Sequence, residues 1–355
     1  MKVFRHILFI LNIIAALALI LTTLAGTVAP SRGLILSLMA FGYLPMLLLN
    51  VAIALLWMLF GRWECLLSMA AIASRYMFIP LFIQFGGCPK VPDAEAHPLM
   101  VTVLTYNVHQ FQGVDDRPEL SDSNAALFLA LVREENPDVL CLQEYAAPKR
   151  LRVTDSLELL GYNHYYGAHT TSTGIPYGSV IFSRLPITFV KRIDSEKLMA
   201  DVLKEDKHLR VCCLHMDSYR FDDNDREKIA RIRHGEVDSS SRRTLHKVKE
   251  TILSHEEEWL QQLRPIVSEC SVPLVVAGDL NDISSSWLYY QMTKYLKDCF
   301  VEQGRGVSST YNGGFPKVRI DMVLHSEGLK ALSYKRIKSP MSDHYPVLTA
   351  LEIEN

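Results

Sequence analysis

Two apolar runs, residues 7–26 and 34–60, restrict this 355-residue chain more than anything else in it. Backbone polar groups in such runs need internal partners wherever water is excluded, so both are expected to be helices long enough to cross a bilayer. A third run, 65–85, is interrupted by Arg75. A charge at mid-bilayer is costly, so Arg75 belongs either at the aqueous end of a short span, with Tyr76 to Phe85 at the interface, or in a polar contact within the bundle. A cleaved signal peptide is the rival reading of the first run, because Ala25-Gly26 follow it, but the later runs would still anchor the protein. Lys2 and Arg5 favour a cytoplasmic amino terminus, while Arg32 and Arg62 fall on opposite sides and cancel. Three crossings would then leave the rest of the chain outside the cytoplasm, in the cell membrane's outer compartment. Free cysteines weigh mildly against that compartment. The expected layout is a transmembrane region of three helices over 1–85, a linker rich in proline and glycine over 86–98, and one domain over 99–355.

Charge separates the same regions. Residues 1–96 hold six basic and three acidic side chains, which leaves 31 basic and 36 acidic for the remainder, a net of −5. A mildly acidic domain lacks the footprint of a tight non-specific nucleic-acid binder. The seven cysteines form no Cys-x-x-Cys pair, and Cys141, Cys212 and Cys213 fall in strand-like runs, so they read as small buried hydrophobes.

Beyond residue 98, strand-like and helical runs alternate, which predicts a mixed α/β domain. Ser123 is expected to cap a helix over 125–135 that Asn136-Pro137 stops. The charged stretch 219–243 reads as a long solvated loop or a substrate-facing insertion, followed by an amphipathic helix carrying Leu245, Val248, Ile252 and Trp259. Several apolar runs end alike: 101–106 at Asn107, 138–143 at Glu144, 209–214 at His215, and Pro273–Gly278 at Asp279 and Asn281. Ser342-Asp343-His344 precedes the last run. One polar strand ending is commonplace, but several with metal-grade or proton-grade side chains point to one convergent rim. Glu144, Asn107, Asp279 and Asp343 supply oxygen donors, which suit magnesium or manganese better than zinc.

Thr105-Tyr106-Asn107-Val108, Leu142-Gln143-Glu144, Gly178-Ser179-Val180-Ile181-Phe182-Ser183, Leu214-His215, Gly278-Asp279-Leu280-Asn281, Arg319-Ile320-Asp321 and Ser342-Asp343-His344 together resemble the ordered signature of the endonuclease/exonuclease/phosphatase superfamily. Each motif is short, but seven in order make a specific signal. The resemblance spans roughly residues 99 to 353 and implies a four-layer αββα sandwich that hydrolyses phosphoesters with a divalent cation. It makes Glu144 the principal Mg2+ ligand, with Asn107 and Asp343 in support and Mn2+ as a substitute. Asp279 would orient or deprotonate water, and Asn281 would hold a phosphate oxygen. His344, paired with Asp321, and His215 would meet the charge that builds in the transition state. His109 stands where apurinic endonucleases of that superfamily carry an acidic residue, which argues against abasic-site cleavage. The sequence therefore predicts a membrane-anchored, Mg-dependent phosphodiesterase acting on a phospholipid or small phosphodiester, with a nuclease as the competing substrate class. Tyr162, Tyr165, Tyr166, His164 and His169 either edge a groove or simply pack. A catalytically silent binding module on the same fold is the reading from a different class.

Overall fold

The computed structural model describes residues 2–146, 151–166, 169–170, 176–219, 239–307, 309–314 and 317–354. The chain divides into two compact units, one made of 1–82, 217–263 and 282–292 and the other of 83–216, 264–281 and 293–355.

In the second unit, two large sheets form beside a two-stranded one that pairs Ile83–Gln84 with Gly306–Val307. The larger runs Leu329–Arg336, Val347–Ile353, Met100–Asn107, Val139–Ala146, Pro176–Ser183 and Asn163–Tyr166 from edge to edge, with His169–Thr170 also paired to Pro176–Ser183. The smaller runs Lys297–Asp298, Asp321–His325, Leu274–Asp279, Lys207–His215, Lys197–Lys204 and Ile187–Arg192. Strand side chains alternate between faces, and the strands use that period of two on both sides. Val101, Val103, Val139 and Cys141 join Val211, Cys213, Val275, Ala277 and Val323 in one buried cluster drawn from both sheets. The intervening Leu104, Tyr106, Leu140 and Leu142 pack instead with Phe128, Leu129 and Val132 of the helix Ser121–Glu135. The unit thus has two large sheets and a helical layer. Helices Ser239–Glu258 and Trp287–Met292, the remaining candidates for a fourth layer, belong to the first unit.

Two local expectations need correction. Ser123 is not the cap: the helix starts at Ser121, and the Ser123 hydroxyl donates back to Leu120 O. Asn136 does stop it, in the left-handed conformation at φ 48°. Residues 239–243, read as loop, open the helix Ser239–Glu258, whereas 220–238 lie outside the described residues. The stretch 86–98 is irregular but tethered, through Tyr334 N to Cys88 O at 2.9 Å and His97 Nδ1 to Glu352 at 2.8 Å.

The first unit contains the apolar helices. Two stretches are long and apolar enough to cross a membrane, Arg5–Thr27 and Leu34–Leu59. The third run departs from expectation. It forms a ten-residue helix, Cys65–Ser74, that breaks at Arg75 and continues as the 3-10 turn Tyr76–Leu81 around Pro80. Ten helical residues reach only about 15 Å, half a hydrocarbon core.

The interior of these helices mixes large apolar, small and polar side chains. Ala15, Ala16, Leu19, Ala71 and Trp57 are buried with Asn12, Asn50 and Ser68, while Ile7, Ile10, Ile14, Leu17, Leu21 and Leu55 are exposed. Asn50 donates to Ala15 O at 2.9 Å, Asn12 donates to Glu64 O at 2.9 Å, and Ser68 donates to Asn12 Oδ1 at 2.6 Å. Arg5 closes this end with a 2.6 Å bond to Glu64.

Candidate active site

Two parallel strand pairs create the rim. Met100–Asn107 runs parallel to Val139–Ala146, and Lys207–His215 runs parallel to Leu274–Asp279, so the polar endings of each pair emerge together. Open α/β sheets bind ligands at such carboxyl ends. Within the smaller sheet, Asp279 lies in register with His215 on one side and Asp321 on the other, forming a single row across three strands. Gly278 makes the close packing here: its φ is +154°, and a Cβ would lie 1.9 Å from Leu214 O.

Glu144 does not end its strand, which continues to Ala146. It sits at φ +48°, where the pairing with Pro176–Ser183 shifts register between Leu142 and Tyr145. That irregularity re-aims the carboxylate, a usual service of a bulge beside a site. Asn281 is likewise left-handed at φ +47°, and so are the consecutive His109, Gln110 and Phe111. Strained backbone clusters at functional sites because the surrounding structure must hold it.

Asn107 ties the rim together. Its Nδ2 donates to Glu144 Oε1 at 3.0 Å and to Asp279 Oδ2 at 3.1 Å. Its Oδ1 accepts from His109 N at 3.0 Å, which leaves a second lone pair. Asp279 Oδ1 accepts from Asn281 N at 2.8 Å, and Asn281 Nδ2 donates to Met216 O at 2.9 Å. Asp279 is 1% exposed, and its carboxylate is held at both oxygens.

Two histidine–carboxylate pairs flank it. His344 Nδ1 bonds Asp321 Oδ2 at 2.8 Å, and its Nε2 lies 3.6 Å from Asp279 Oδ2. His215 Nδ1 bonds Glu196 Oε2 at 3.0 Å, and its Nε2 lies 3.7 Å from Glu144 Oε1 and 4.0 Å from Asp279 Oδ2. That Nε2 is buried with no hydrogen-bond partner. Burial works to lower the His215 pKa, but the Glu196 bond and the charges of Asp279 and Glu144 outweigh it and push it up to about 9. His344 is also raised well above the ordinary histidine value: burial opposes the shift, while Asp321 and Asp279 dominate it. In both rings the neighbouring carboxylates favour the protonated form.

Of the sequence-predicted residues, Asn107, Glu144, His215, Asp279, Asn281, Asp321 and His344 come together. Asp343 joins less directly: its Oδ1 lies 3.5 Å from His109 Nδ1, and the neighbouring Ser342 hydroxyl donates to Asn107 O at 2.8 Å. The tightest group of potential ligands is Asp279, Asp321 and His344, whose donor atoms lie within 4.8 Å of one another. His344 Nδ1 is committed to Asp321 and its Nε2 faces Asp279, so the trio is one connected, buried group. Sequence reasoning missed Glu196, which lies in a short turn that resembles any solvated loop. It also missed Tyr177, whose phenol is kept neutral by burial first and then by the charges of Glu144 and Glu196. The aromatic edge resolves into packing at two positions: Tyr162 is buried and donates to Pro137 O at 2.6 Å, and the His164 ring lies tilted against Phe182. The side chains of Tyr166 and His169 lie outside the described residues.

The donor chemistry fits a hard cation. Glu144, Glu196, Asp279, Asp321 and Asp343 face two imidazoles, so the rim keeps a surplus of negative charge even with both rings protonated. Among the described residues, no lysine or arginine bonds to this set. Buried like charges of this kind call for a counter-cation, and oxygen donors suit a divalent one.

Comparison with known proteins follows the same outline. The model of the endonuclease/exonuclease/phosphatase family matches residues 104–344, and that of a domain of unknown function matches 5–82. An endonuclease/exonuclease/phosphatase from Beutenbergia cavernae DSM 12333 is similar at 18% identity and TM-score 0.52, covering 72% of each chain. The human Nocturnin catalytic domain with bound sulfate anion is similar at 17% identity and TM-score 0.51, covering 72% of this chain and 95% of that one. A family protein from Leptotrichia buccalis C-1013-b matches at 15% identity and TM-score 0.51, covering 72% of this chain and 100% of that one. At such identities the likeness is one of fold. Among curated proteins there is no significant match.

Proposed function

The chain belongs to the endonuclease/exonuclease/phosphatase family, and on that footing we propose that it is a membrane-anchored, divalent-metal-dependent hydrolase of a phosphodiester. The observation that carries this reading is the row of His215, Asp279 and Asp321, extended by His344 and joined through Asn107 to Glu144. Glu144 and Asn107 Oδ1 would hold Mg2+ or Mn2+, with Asp343 as a further oxygen behind His109. Bound there, the cation would neutralise charge on a phosphoryl oxygen and ease the attack of water.

The protein's own groups supply the rest. Asp279 accepts or directs the proton of the attacking water, and its bonds to Asn107 and Asn281 prevent the carboxylate from turning away. His344 and His215 present Nε2 as donors to the phosphoryl group, each oriented by a carboxylate on Nδ1. A phosphodiester is already anionic, so donors fixed before the reaction stabilise its additional charge without reorganising. Asn281 keeps one amide hydrogen for a phosphoryl oxygen after bonding Met216 O. A silent binding module would have no need of this complete set.

The reading of the N-terminal helices as an anchor rests on their polarity. Asn12, Asn50 and Ser68 are buried beside Leu19, Tyr43, Leu47 and Trp57, while Ile7, Ile10, Ile14, Leu17 and Leu55 are exposed, an apolar outer surface that suits hydrocarbon better than water. We read 65–81 as a broken third crossing, because its helix and 3-10 turn together span about 27 Å. Within that unit, Arg5 and Glu64 mark one end of the helices. The loop between the first two helices marks the other, where Ser31 is held by Glu256 through bonds of 2.7 Å. Lys2 and Arg5 favour the cytoplasm for the first end, Arg62 there being offset by Arg32 at the other, so on this reading the hydrolase faces the opposite side. An acidic domain on such an anchor suits a lipid or small phosphodiester better than nucleic acid.

The test is to purify the full chain in detergent and assay it with Mg2+ and with chelator on bis-p-nitrophenyl phosphate, sphingomyelin, phosphoinositides and plasmid DNA. Hydrolysis of a phosphodiester that disappears with chelator is expected. Activity that survives both chelation and Asp279→Ala would overturn the mechanism. A reporter fused after Asn355 tests the orientation, and a cytoplasmic signal would overturn it.

A further inference from the structure

Two of the five polypeptide crossings between the compact units fall immediately beyond the candidate active site. One comes after Met216, one residue past His215, and the other after Asn281. The chain therefore enters the first unit at Asp217 and at Asp282. Within that unit a single side chain contacts both entry points. His255 Nε2 lies 2.8 Å from Asp217 O, and its Nδ1 lies 3.5 Å from Asp282 Oδ2.

The chemistry of this contact is specific. A carbonyl oxygen and a carboxylate both only accept, so the ring meets an acceptor at each nitrogen and satisfies both only with two protons. His255 is 1% exposed, and its Nδ1 has no partner within hydrogen-bond distance, while Asp282 is 7% exposed. A buried imidazolium is expensive unless paired, so this arrangement is held by its neighbours rather than by solvent. Burial would lower the His255 pKa, but Asp282 raises it, in keeping with the doubly protonated ring.

The helix Ser239–Glu258 presents more than His255 to this segment. Ser254 Oγ donates to the Asp217 carboxylate, and Thr251 Oγ1 donates to Ser218 O at 3.5 Å, so Thr251, Ser254 and His255 meet the segment from neighbouring positions of one helical face. The next residue, Glu256, accepts from Ser31 N and Oγ at 2.7 Å, in the loop between the two long apolar helices. On the other side, Asp282 Oδ1 accepts from Ile283 N at 2.8 Å, and Ser285 Oγ donates to Ala40 O at 2.9 Å. Both entry points are thus fixed to the unit that carries the apolar helices.

We propose that His255 is a positioning residue, a clasp that fixes the exits of the His215 and Asp279 strands through Asp217 and Asp282 and so sets the placement of His215 and Asn281. The proposal deepens the hydrolase reading above and rests on it for its kinetic consequence. No residue of the clasp touches substrate. Its loss should therefore lower turnover without loosening substrate binding. Asn281 Nδ2 to Met216 O is the neighbouring rung on the active-site side, and it should weaken when the clasp opens.

The experiment compares the full chain in detergent with His255→Gln, Asp282→Asn and the double variant. Gln can donate to one acceptor but not bridge both. Two readouts are taken: kcat and KM on bis-p-nitrophenyl phosphate with Mg2+, and amide hydrogen exchange of 215–218 and 280–283. The clasp requires each single variant to lower kcat about tenfold with KM within twofold, and the double variant to lose no more than either single one. It also requires faster exchange in both segments from either substitution, although each residue touches only one of them directly. Equal kcat and unchanged exchange would overturn it, as would additive losses or exchange that speeds only at the mutated segment. If His255→Gln does not fold, Asp282→Asn decides by the same exchange at 215–218. Exchange needs no substrate: a chain inactive on every phosphodiester but with coupled exchange would overturn the hydrolase reading alone and leave the clasp standing.

Discussion

In the sandwich unit the strands hide Val103, Ile181 and Val275 and carry their polar ends to one rim, whereas in the N-terminal unit Asn12, Asn50 and Ser68 are inside and Ile10, Ile14 and Leu17 are outside. On the anchor reading proposed above, the same physics applied to two solvents would produce both patterns. Where water surrounds the protein, burying apolar area is favourable at about 25 cal/mol per Å2, so polar groups are left for the surface or for a site. Where hydrocarbon surrounds it, apolar burial returns little, and close packing with interhelical hydrogen bonds holds the helices together. Polar residues in the two units therefore mean different things. On the proposed function, those of the N-terminal helices are glue, and those at the rim are chemistry that the fold supports at some cost.

The sharpest test of that contrast is at the rim. Glu144→Gln and Asp279→Asn should each lower kcat by about a thousandfold or more while leaving the melting temperature nearly unchanged. Equal loss of stability and activity would make these residues structural and break the comparison. Gly278→Ala comes next, because the added Cβ meets Leu214 O on a backbone already at φ +154°. A stability loss of about 3 kcal/mol or more is expected in chemical denaturation, with activity lost as the two strands part. Third, Ile14→Asp or Leu17→Asp should lower membrane insertion by about 2.5 to 3.5 kcal/mol, read as protein in the carbonate-extractable fraction. The same change on a water-facing surface would be nearly neutral, so unchanged insertion would mean these faces meet water.

The smallest effect concerns pH. The His325 hydrogen bond holds the Glu302 carboxyl below the usual glutamate range, against the opposing pull of burial. A depressed folded pKa stabilises above the unfolded value and fades as pH falls through the folded one. Because Glu302 is partly exposed, less than about 1 kcal/mol is at stake. Urea melts of wild type and Glu302→Gln should differ at pH 6 and converge by about pH 3. A difference that grows on acidification would reverse the assignment.

Much of this was legible without coordinates because strand endings are local. The runs before Asn107, His215 and Asp279 show their period and their stop in the letters themselves, and their order along the chain carries the family likeness. Glu144 was found for the right reason but at the wrong local conformation, since nothing in Leu142-Gln143-Glu144 announces a left-handed residue inside a strand. Ser123 illustrates the opposite error: Leu120 precedes a helix that begins two residues earlier, and the hydroxyl is used inside the first turn. The third apolar run looked continuous by composition, but Arg75 and Pro80 break it into two short pieces.

The sequence by itself determined which polar residues end the strands and in what order, along with two apolar runs long enough to cross a membrane, because those properties depend on neighbours a few residues away. Only the tertiary structure decided that Glu196 orients His215, that Asn107 bridges Glu144 and Asp279, and that His255 spans Asp217 and Asp282. Asn107 and Asp279 are 172 residues apart in the chain. Hydrogen bonds and ion pairs act over a few ångströms of space, and no spacing of letters records which distant side chains the packing of two sheets will bring within that range.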